Sequence, residues 1–424
     1  MREIDKIWSK LEEVSFQIGT DTRKNLEGKI FFALQGENFD GNDFVEQAIR
    51  SGASGVVCSD KQFEGLENSF VVENTTKTLQ EIANKYRKKF DIPVIAIGGS
   101  NGKTTSRELI HAVLNSKFNT HTSEGNFNNH IGLPLSILTM KSGSELAVFE
   151  IGANHAQEHT RLLQILEPTH VLVTNNGLDH LEGFGSPLGA RKANKEIFDW
   201  AKTFEIEAFV NKNHQDLLED SEGLKRIMYP DSNGEVLKTA PLEFEYNDTK
   251  IKTRLFGSYN LENIYSALAI GKYFGIEESQ ALDVISKYQP KQKRSQIIRQ
   301  GKNVLIVDCY NANPSSIKLA LESLLSNTPS SLGVVLGDML ELGDYAHEEH
   351  KKILNMLNSA KLAMVVLIGP EFKKALSSIN LKCNWFENSL SAKQWLEQQD
   401  LGDMTILLKG SRGMRVEEAF DLSI

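Results

Sequence analysis

A chain of 424 residues exceeds what a single hydrophobic core usually supports, so its length predicts about three domains. Its 40% apolar and 24% charged residues are typical of a soluble protein, and its net charge of −9 argues against a dedicated nucleic-acid binder. No apolar run approaches the roughly 18–20 residues of a membrane span. The first residues include acidic side chains and no apolar core, so no signal peptide is expected. The widely spaced Cys58, Cys309 and Cys383 exclude a disulfide framework and favour a reducing cytoplasm.

The first 90 residues carry short mixed elements and are predicted to form a small α/β domain. Strands are expected over residues 29–34 and 55–58, and helices over residues 43–51 and 78–90. The Asp-Ile-Pro sequence that follows marks a boundary before the next strand.

Residues 91–290 alternate apolar strands with helical segments, which predicts an open parallel sheet. The strand at 94–97 runs into a glycine-containing loop, and a helix begins near Lys103. This arrangement binds phosphate chains, because backbone N–H groups and the helix dipole face the anion. Lys103 would reach the terminal phosphates and the Thr104 hydroxyl would contact a magnesium ion. The chain is therefore predicted to bind a nucleoside triphosphate.

The glycine loop departs from the common phosphate-loop pattern at one position. That pattern requires a glycine five residues before Gly102, where this chain has Ile97, so the loop is the shorter Gly-Ser-Asn-Gly-Lys-Thr-Thr. An ordinary strand-to-helix turn is the alternative. Such a turn requires no lysine followed by two threonines, which favours the phosphate loop.

Two further strands of the central segment end in residues suited to a magnesium ion. Glu150 lies in the strand at 146–151, and His180 lies in the polar loop that follows the strand at 171–174. Ligands of an open parallel sheet bind beyond the carboxyl ends of its strands, so Glu150, His180 and Thr104 are predicted to share one site. A capping glutamate and a structural histidine are the alternatives. No Cys/His spacing indicates zinc.

Residues 291–424 begin a new series of strands after a polar, proline-containing linker at 288–293. They are predicted to form a Rossmann-like domain. Strands are expected over residues 304–307, 332–336, 364–368 and 405–408, with helices over 316–325 and 347–359. Polar loops follow three of these strands, at 308–314, 337–343 and 409–414, where a small ligand is expected.

Together these motifs resemble the Mur ligases, the ATP-dependent amide-forming enzymes of peptidoglycan synthesis. The resemblance covers essentially the whole chain. The motifs that carry it are, in order, 21–23 with 33–41, 99–105, 150–155, 174–186, 257–263, 310–314, 337–343 and 409–412. The resemblance implies a UDP-sugar domain over 1–90, a central ATP-binding domain over 91–290 and a C-terminal ligase domain over 291–424.

The last three motifs are most similar to the family members that add D-alanyl-D-alanine to UDP-N-acetylmuramoyl-tripeptide. This similarity implies that ATP phosphorylates the terminal carboxylate of the tripeptide. The free amine of the dipeptide then attacks the acyl phosphate, and phosphate leaves. ATP and Mg²⁺ are the implied cofactors, and the implied setting is cytoplasmic cell-wall synthesis without membrane insertion. The acidic surface favours a monomer.

The resemblance also implies roles for individual residues. Lys103, Glu150, His180 and Arg294 would act in catalysis, and Thr104, Glu150 and His180 would hold magnesium. The predicted ATP contacts are Gly99, Ser100, Asn101, Gly102, Lys103, Thr104, Thr105, Asn260, Asn263, Arg294, Asp308 and Asn311, with Asn260 and Asn263 facing the adenine. The predicted substrate contacts are Asp21, Thr22, Arg23, Asn128 and Asn129 for the UDP-sugar, together with Ser411 and Arg412.

One position departs from the family pattern. Many relatives carry a carbamylated lysine fourteen residues after the metal-binding histidine, where this chain has Asn194. Lys192 and Lys195 flank that position but would point in other directions on a helix. Either the uncharged Asn194 side chain takes the place of the carbamylated lysine, or Lys192 or Lys195 moves into that place. We expect that no lysine is carbamylated.

Three alternative functions remain open on the sequence. One is a sibling ligase that adds a different amino acid, and another is a folylpolyglutamate synthase. Both would share the middle domain but differ at 310–314 and in the first domain. The third is a non-synthetic ATP-binding switch or a degenerate ligase, either of which would bind ATP without forming an amide.

Overall fold

The computed structural model describes residues 2–36, 38–326, 331–420 and 422, and its α/β architecture with parallel sheets confirms the predicted fold class. The chain divides into two compact units. The first comprises Met1–Ala96, Asn119–Gly152 and Glu158–Thr169, and the second comprises Ile97–Phe118, Ala153–Gln157 and His170–Ile424. No helix within the described residues is long and apolar enough to cross a bilayer.

The first 90 residues form a parallel sheet flanked by helices. The elements are α1 (Glu3–Glu13), β1 (Ile18–Gly19), β2 (Ile30–Phe32), β3 (Gln35–Gly36), β4 (Phe39–Asp40), a 3-10 turn (Gly41–Phe44), α2 (Val45–Arg50), β5 (Gly55–Cys58), a second 3-10 turn (Lys61–Phe63), β6 (Ser69–Val71) and α3 (Thr75–Arg87). The sheet order is β1-β2-β5-β6, and every neighbouring pair is parallel. Helix α3 begins three residues before the predicted start, because the Asn74 side chain caps it by accepting the Lys77 N–H at 2.8 Å.

The middle of the chain forms a larger sheet and a small antiparallel one. Its elements are β7 (Val94–Gly98), α4 (Lys103–Leu114), β8 (Thr120–Thr122), α5 (Gly132–Leu138), β9 (Leu146–Glu150), α6 (Glu158–Leu166), β10 (His170–Val173), α7 (Leu181–Phe184), α8 (Pro187–Thr203), β11 (Glu207–Asn211), α9 (Gln215–Asp220), β12 (Arg226–Tyr229), β13 (Glu235–Thr239), β14 (Leu242–Tyr246), β15 (Thr249–Lys252), α10 (Asn260–Tyr273) and α11 (Glu278–Lys287). The large sheet has the order β12-β11-β10-β7-β9-β8. Every residue of β7, β9 and β10 is buried, as expected where helices cover both faces of a sheet.

The antiparallel sheet β13-β14-β15 was not predicted from the sequence. In β14, the buried Leu242, Phe244 and Tyr246 alternate with the more exposed Glu243 and Glu245. This period of two is the normal signal of a strand with one solvated face, so the pattern was available in the sequence.

The C-terminal segment forms a separate six-stranded sheet, and its four predicted strands and two predicted helices fall close to observed elements. The strands at 296–300 and 384–386 and the helices at 370–376 and 389–396 were not predicted. The elements are β16 (Gln296–Gln300), β17 (Asn303–Asp308), α12 (Pro314–Ser326), β18 (Ser331–Gly337), a 3-10 turn (Gly343–Tyr345), α13 (Ala346–Ser359), β19 (Met364–Ile368), α14 (Pro370–Leu376), β20 (Asn384–Phe386), α15 (Ser389–Leu396), β21 (Met404–Lys409) and two 3-10 turns (Arg412–Met414 and Val416–Phe420). The order is β16-β17-β21-β18-β19-β20, and only β16 is antiparallel to its neighbour. The adjacent carboxyl ends of β17, β21 and β18 bring the three predicted polar loops to one edge.

Candidate nucleotide site

The phosphate loop joins β7 to α4, as the sequence predicts. Gly102 precedes the helix with φ = +81°, and a Cβ there would lie 2.3 Å from Asn263 Oδ1. Gly99 has φ = +112°, and a Cβ there would lie 2.3 Å from Thr174 Oγ1. Backbone conformation and close packing therefore both require glycine at these two positions.

Asn175, which follows β10, holds the backbone of the phosphate loop. The Ser100 N–H donates to the Asn175 carbonyl at 2.9 Å, and the Asn101 N–H donates to Asn175 Oδ1 at 3.1 Å. Asn175 Nδ2 in turn donates to the Asn101 carbonyl at 3.0 Å. No role was predicted for Asn175, although its position directly beyond a buried strand was a usable signal. These bonds fix the loop before any ligand binds.

The Lys103 ammonium lies over its own loop, where it donates to the Gly99 carbonyl and, at 3.0 Å, to the Ser100 carbonyl. Thr104 follows in the first turn of α4 and is only 1% exposed. The first turn of the helix thus presents an ammonium group and a hydroxyl at the helix N-terminus, where the dipole favours an anion.

The two other predicted magnesium ligands lie in different units. Glu150 ends β9 in the first unit and accepts a hydrogen bond from Asn128 Nδ2 at 2.8 Å. His180 lies in the second unit with φ = +46°, and its Nδ1 is 2.5 Å from Glu341 Oε2. The hydrogen bond from His180 lowers the pKa of the Glu341 carboxyl.

The donors near His180 fit a magnesium ion that is also bound by phosphates. Asp179 is 7% exposed, and its Oδ1 is buried without a hydrogen-bond partner among the described residues. A buried carboxylate oxygen in this state is costly unless a cation or donor reaches it. No group of three His, Cys, Asp or Glu side chains within the described ranges could hold a metal alone. Mg²⁺ typically uses one or two carboxylates and completes its shell with phosphates and water, so the donor set suits it.

The residues predicted to meet the UDP-sugar lie in the first unit. Arg23 donates through Nε and Nη2 to the two oxygens of Asp21, both at 2.9 Å, and these bonds lower the Asp21 pKa to about 2. Thr22 lies between them in the same turn. Asn129 Oδ1 accepts the N–H of Gly132 at 2.8 Å, at the start of α5. Glu37, part of the first-domain motif, lies outside the described residues.

Asn260 and Asn263 are buried at 1% and 6% exposure and bond to protein groups. Ser106 Oγ donates to Asn263 Oδ1 at 3.0 Å, and Asn263 Nδ2 donates to Asn260 Oδ1 at 2.8 Å. Asn260 Nδ2 donates to Ser295 Oγ at 3.2 Å. The two asparagines therefore connect the phosphate-loop helix to Ser295, in the linker before β16, and their contact with adenine stays a prediction.

The polar network continues from Ser295 into the C-terminal segment. The Ser295 N–H donates to Asp308 Oδ1 at 3.0 Å, and Lys409 Nζ lies 2.6 Å from Asp308 Oδ2. Lys409 is only 3% exposed. Both Asp308 oxygens are therefore bonded within the protein, and the contact of Asp308 with nucleotide stays a prediction. The linker itself carries positive φ at Gln292, Lys293 and Ser295.

Tyr310 is a platform for two predicted ligand-binding arginines. The Arg294 guanidinium carbon lies 3.8 Å from the centroid of the Tyr310 ring, and that of Arg412 lies 5.4 Å from it. Such cation–π contacts orient guanidinium groups without neutralising them. The neighbouring Asn311 is exposed. Ser411 is buried, and its hydroxyl accepts the Leu340 N–H at 2.9 Å, so this side chain holds a loop in place rather than facing solvent.

The C-terminal segment also contacts the phosphate loop directly. Asn313 Nδ2 donates to Asn101 Oδ1 at 2.8 Å, and the Leu178 N–H donates to Ser315 Oγ at 3.1 Å. Asn101 and Asn313 belong to separate motifs of the sequence, 99–105 and 310–314, and no contact between them was predicted. Because they lie far apart in the chain, only the folded structure brings them together.

Asn194, at the position where the resemblance implies a modified lysine, contacts the phosphate loop through Ser100. It is buried on α8, and its Nδ2 lies 3.0 Å from Asn176 Oδ1 and 3.4 Å from Ser100 Oγ. Lys192 is exposed, while Lys195 forms an ion pair with Asp199. The neutral amide therefore fills the position, and neither flanking lysine points into it.

We predict that removing carbon dioxide leaves any ligase activity of this protein within twofold of the untreated sample. The reason is that Asn194 cannot be carbamylated and its amide is already hydrogen-bonded. The measurement is product formation in degassed buffer against buffer with added bicarbonate, together with ¹³C NMR after ¹³C-bicarbonate labelling. A carbamate signal that disappears in the Lys192→Gln or Lys195→Gln variant would contradict this expectation.

Comparisons with known proteins match most of the chain to the Mur ligases. Three family models match consecutive segments: the Mur ligase family catalytic domain at residues 16–97, the Mur ligase middle domain at 97–271 and the Mur ligase glutamate ligase domain at 293–412. The UDP-N-acetylmuramoyl-tripeptide--D-alanyl-D-alanine ligase of Bacillus subtilis is 33% identical over 95% of this chain and 91% of its own.

Solved structures of Mur ligases also match the chain. A crystal structure of MurF from Acinetobacter baumannii matches with a TM-score of 0.86 and 25% identity over 97% of both chains. MurF from Thermotoga maritima in complex with ADP matches with a TM-score of 0.84 and 25% identity over 96% of both chains. The fold and the phosphate loop define an ATP-using α/β ligase. The chain belongs to the Mur ligase family.

Proposed function

We infer that this chain is an ATP-dependent ligase that adds D-alanyl-D-alanine to UDP-N-acetylmuramoyl-tripeptide in peptidoglycan precursor synthesis. The observation that carries this inference is the match, over 95% of the chain, to a ligase of that name. The phosphate loop supports it independently, because its backbone is fixed and an ammonium and a hydroxyl stand at the start of α4.

The reaction joins two substrates through an activated carboxylate. A carboxylate oxygen of the tripeptide attacks the γ-phosphorus of ATP, the bond to the β-phosphate bridging oxygen breaks, and ADP leaves. The amine of D-alanyl-D-alanine then attacks the acyl carbon and loses a proton, and the C–O bond to phosphate breaks. The products are the amide, ADP and inorganic phosphate. Catalysis of such transfers is mainly positioning and electrostatic stabilisation.

For the phosphoryl transfer, we assign Lys103 to the phosphates of ATP. Its ammonium would exchange the carbonyls of Gly99 and Ser100 for phosphate oxygens without leaving the loop. Thr104, Glu150 and His180 are the proposed holders of Mg²⁺, which supplies charge neutralisation on the transferring group when bound. Arg294 is the proposed second cation, and its contact with Tyr310 directs its guanidinium.

The remaining predicted residues are assigned to the UDP-sugar, to the substrates or to the nucleotide. The residues proposed to bind the UDP-sugar are Asp21, Thr22, Arg23, Asn128 and Asn129. Arg412, in the C-terminal segment, is proposed to bind a carboxylate of the substrates. The residues proposed to surround the nucleotide are Asn260, Asn263, Asp308 and Asn311. Asn260, Asn263 and Asp308 would also keep their hydrogen bonds within the protein. Ser411 is proposed to act indirectly, by fixing the loop that contains Leu340.

The proposal places the enzyme in the cytoplasm as a monomer. Three free cysteines suit a reducing compartment, and ATP and UDP-linked precursors are supplied there. Light scattering after size exclusion tests the monomer: a mass near 47.4 kDa is expected, and twice that mass would contradict it.

The deciding experiment is ADP release with magnesium, UDP-N-acetylmuramoyl-tripeptide and D-alanyl-D-alanine, omitting each component in turn. We expect release only when both substrates are present, and a pentapeptide product by mass spectrometry. Release that occurs with a single amino acid in place of the dipeptide would favour a sibling ligase. ATP binding without amide formation would identify a degenerate ligase.

A further inference from the structure

A carboxylate from the third domain contacts the proposed metal-binding histidine. Glu341 lies in the loop after β18, and its Oε2 is 2.5 Å from His180 Nδ1. A carboxylate has no proton to donate, so it accepts a hydrogen bond from His180, and Nδ1 is the nitrogen that carries the proton. When the ring is neutral, its lone pair therefore lies on Nε2. This is the tautomer that a histidine needs to ligate a metal through Nε2.

A main-chain hydrogen bond joins the two loops that carry His180 and Glu341. The Glu182 N–H donates to the Glu341 carbonyl at 3.1 Å, so the two loops share a main-chain bond beside the side-chain bond. His180 and Glu341 both have positive φ, at +46° and +62°. Non-glycine residues keep this conformation only where the surrounding structure imposes it. The two strained residues therefore face each other across a fixed contact.

Buried groups at the base of the Glu341 loop hold its position. Asp338 accepts the N–H groups of Glu371 and Phe372 at 2.8 and 2.9 Å, at the start of α14. His350 Nε2 accepts the Met339 N–H at 3.0 Å, while its Nδ1 bonds the Ala346 carbonyl at 2.7 Å. Asp338 and His350 are both fully buried. The loop is thus anchored to two helices of the third domain immediately before Glu341.

We propose that Glu341 is a positioning residue that fixes the tautomer and ring orientation of His180, so that the third domain completes the magnesium site of the central domain. This rests on the proposed function, specifically on His180 as a magnesium ligand. The arrangement is a carboxylate–histidine–metal chain in which the carboxylate belongs to a different domain from the histidine. Metal affinity and the docking of the third domain are consequently coupled, since each stabilises the other.

The first test needs no metal. In the metal-free protein labelled with ¹⁵N-histidine, the His180 signal, assigned with His180→Gln, should report the Nδ1–H tautomer. The Glu341→Ala variant should shift that signal toward a mixture with the Nε2–H tautomer. Because Glu341 is about half exposed, the variant should fold normally, which circular dichroism verifies. An unchanged His180 tautomer in Glu341→Ala would overturn the proposal.

The second test measures Mn²⁺ affinity by electron paramagnetic resonance in the presence of a non-hydrolysable ATP analogue. Glu341→Ala should weaken Mn²⁺ binding by roughly 10–100-fold, and Glu341→Gln, whose amide oxygen still accepts a hydrogen bond, by less. The matched control is Glu348→Ala, which removes an exposed carboxylate from the first turn of α13 and should leave the affinity unchanged.

The His180→Ala variant distinguishes a failure of the proposed metal ligand from a failure of the proposed positioning residue. If His180→Ala does not weaken Mn²⁺ binding, His180 is not a ligand, and both its proposed role and the inference about Glu341 fall. If His180→Ala weakens binding but Glu341→Ala does not, only the positioning role of Glu341 is refuted.

Discussion

Replacing Lys103 with alanine should lower kcat by about 10²–10³-fold, the cost of losing one preorganised charge at a developing anion. The phosphate loop is otherwise built from backbone groups, glycines and neutral side chains, so this ammonium supplies the charge at the start of α4. The loop itself should survive, because Asn175 holds its backbone through three hydrogen bonds that do not involve Lys103.

The measurement is steady-state product formation with all three substrates at saturation, compared with the Lys141→Ala variant. Lys141 is an exposed lysine in the first unit, so its removal changes the net charge equally without touching the loop. Nucleotide affinity by calorimetry should fall less than kcat, since the charge interaction grows in the transition state. A Lys103→Ala enzyme that retained more than a tenth of wild-type kcat would refute the assignment.

Replacing Lys409 with methionine should lower the free energy of unfolding by about 3–5 kcal/mol, the usual cost of removing one partner from a buried ion pair. Lys409 Nζ lies 2.6 Å from Asp308 Oδ2, and the lysine is almost completely buried between β17 and β18. Without the lysine, the Asp308 carboxylate keeps the Ser295 N–H at 3.0 Å as a donor but loses its countercharge.

Urea denaturation of the single variants and of Lys409→Met combined with Asp308→Asn measures this effect. The double variant should recover part of the loss, because it no longer buries an unpaired charge. Strictly additive losses would show that the two side chains do not interact. The Lys393→Met variant serves as the control, since Lys393 is a lysine on α15, outside the buried pair.

The sequence was sufficient to predict the sheets that carry the site and the loops at their ends. Fully apolar runs such as β7 and β19 are recognisable as buried parallel strands, and the strand at 364–368 was placed with its observed limits. Because parallel strands expose their carboxyl ends at one edge, the loops after β17, β18 and β21 could be grouped before the structure was known.

The contacts between loops could not be predicted in the same way. Asn101 contacts Asn313, and His180 contacts Glu341, through loops that follow strands of two different six-stranded sheets. Periodicity in the sequence does not specify how two sheets are oriented. Asn260 is predicted to face the adenine, which stays a prediction, and its amide nitrogen also donates to the Phe256 carbonyl and to Ser295 Oγ, bonds that the sequence did not indicate. A short amide side chain has the same appearance in a sequence whether it binds a nucleotide or another asparagine.

The linker between α11 and β16 has a practical consequence for engineering this enzyme. Its polar, proline-containing sequence is typical of a site that tolerates a tag, a split point or a new chain terminus. However, Gln292, Lys293 and Ser295 have positive φ, and Ser295 is hydrogen-bonded to the Asp308 carboxylate. An insertion would have to reproduce three unfavourable backbone conformations to keep that bond. Reporter groups are better placed at the exposed Gly402 turn, which precedes β21.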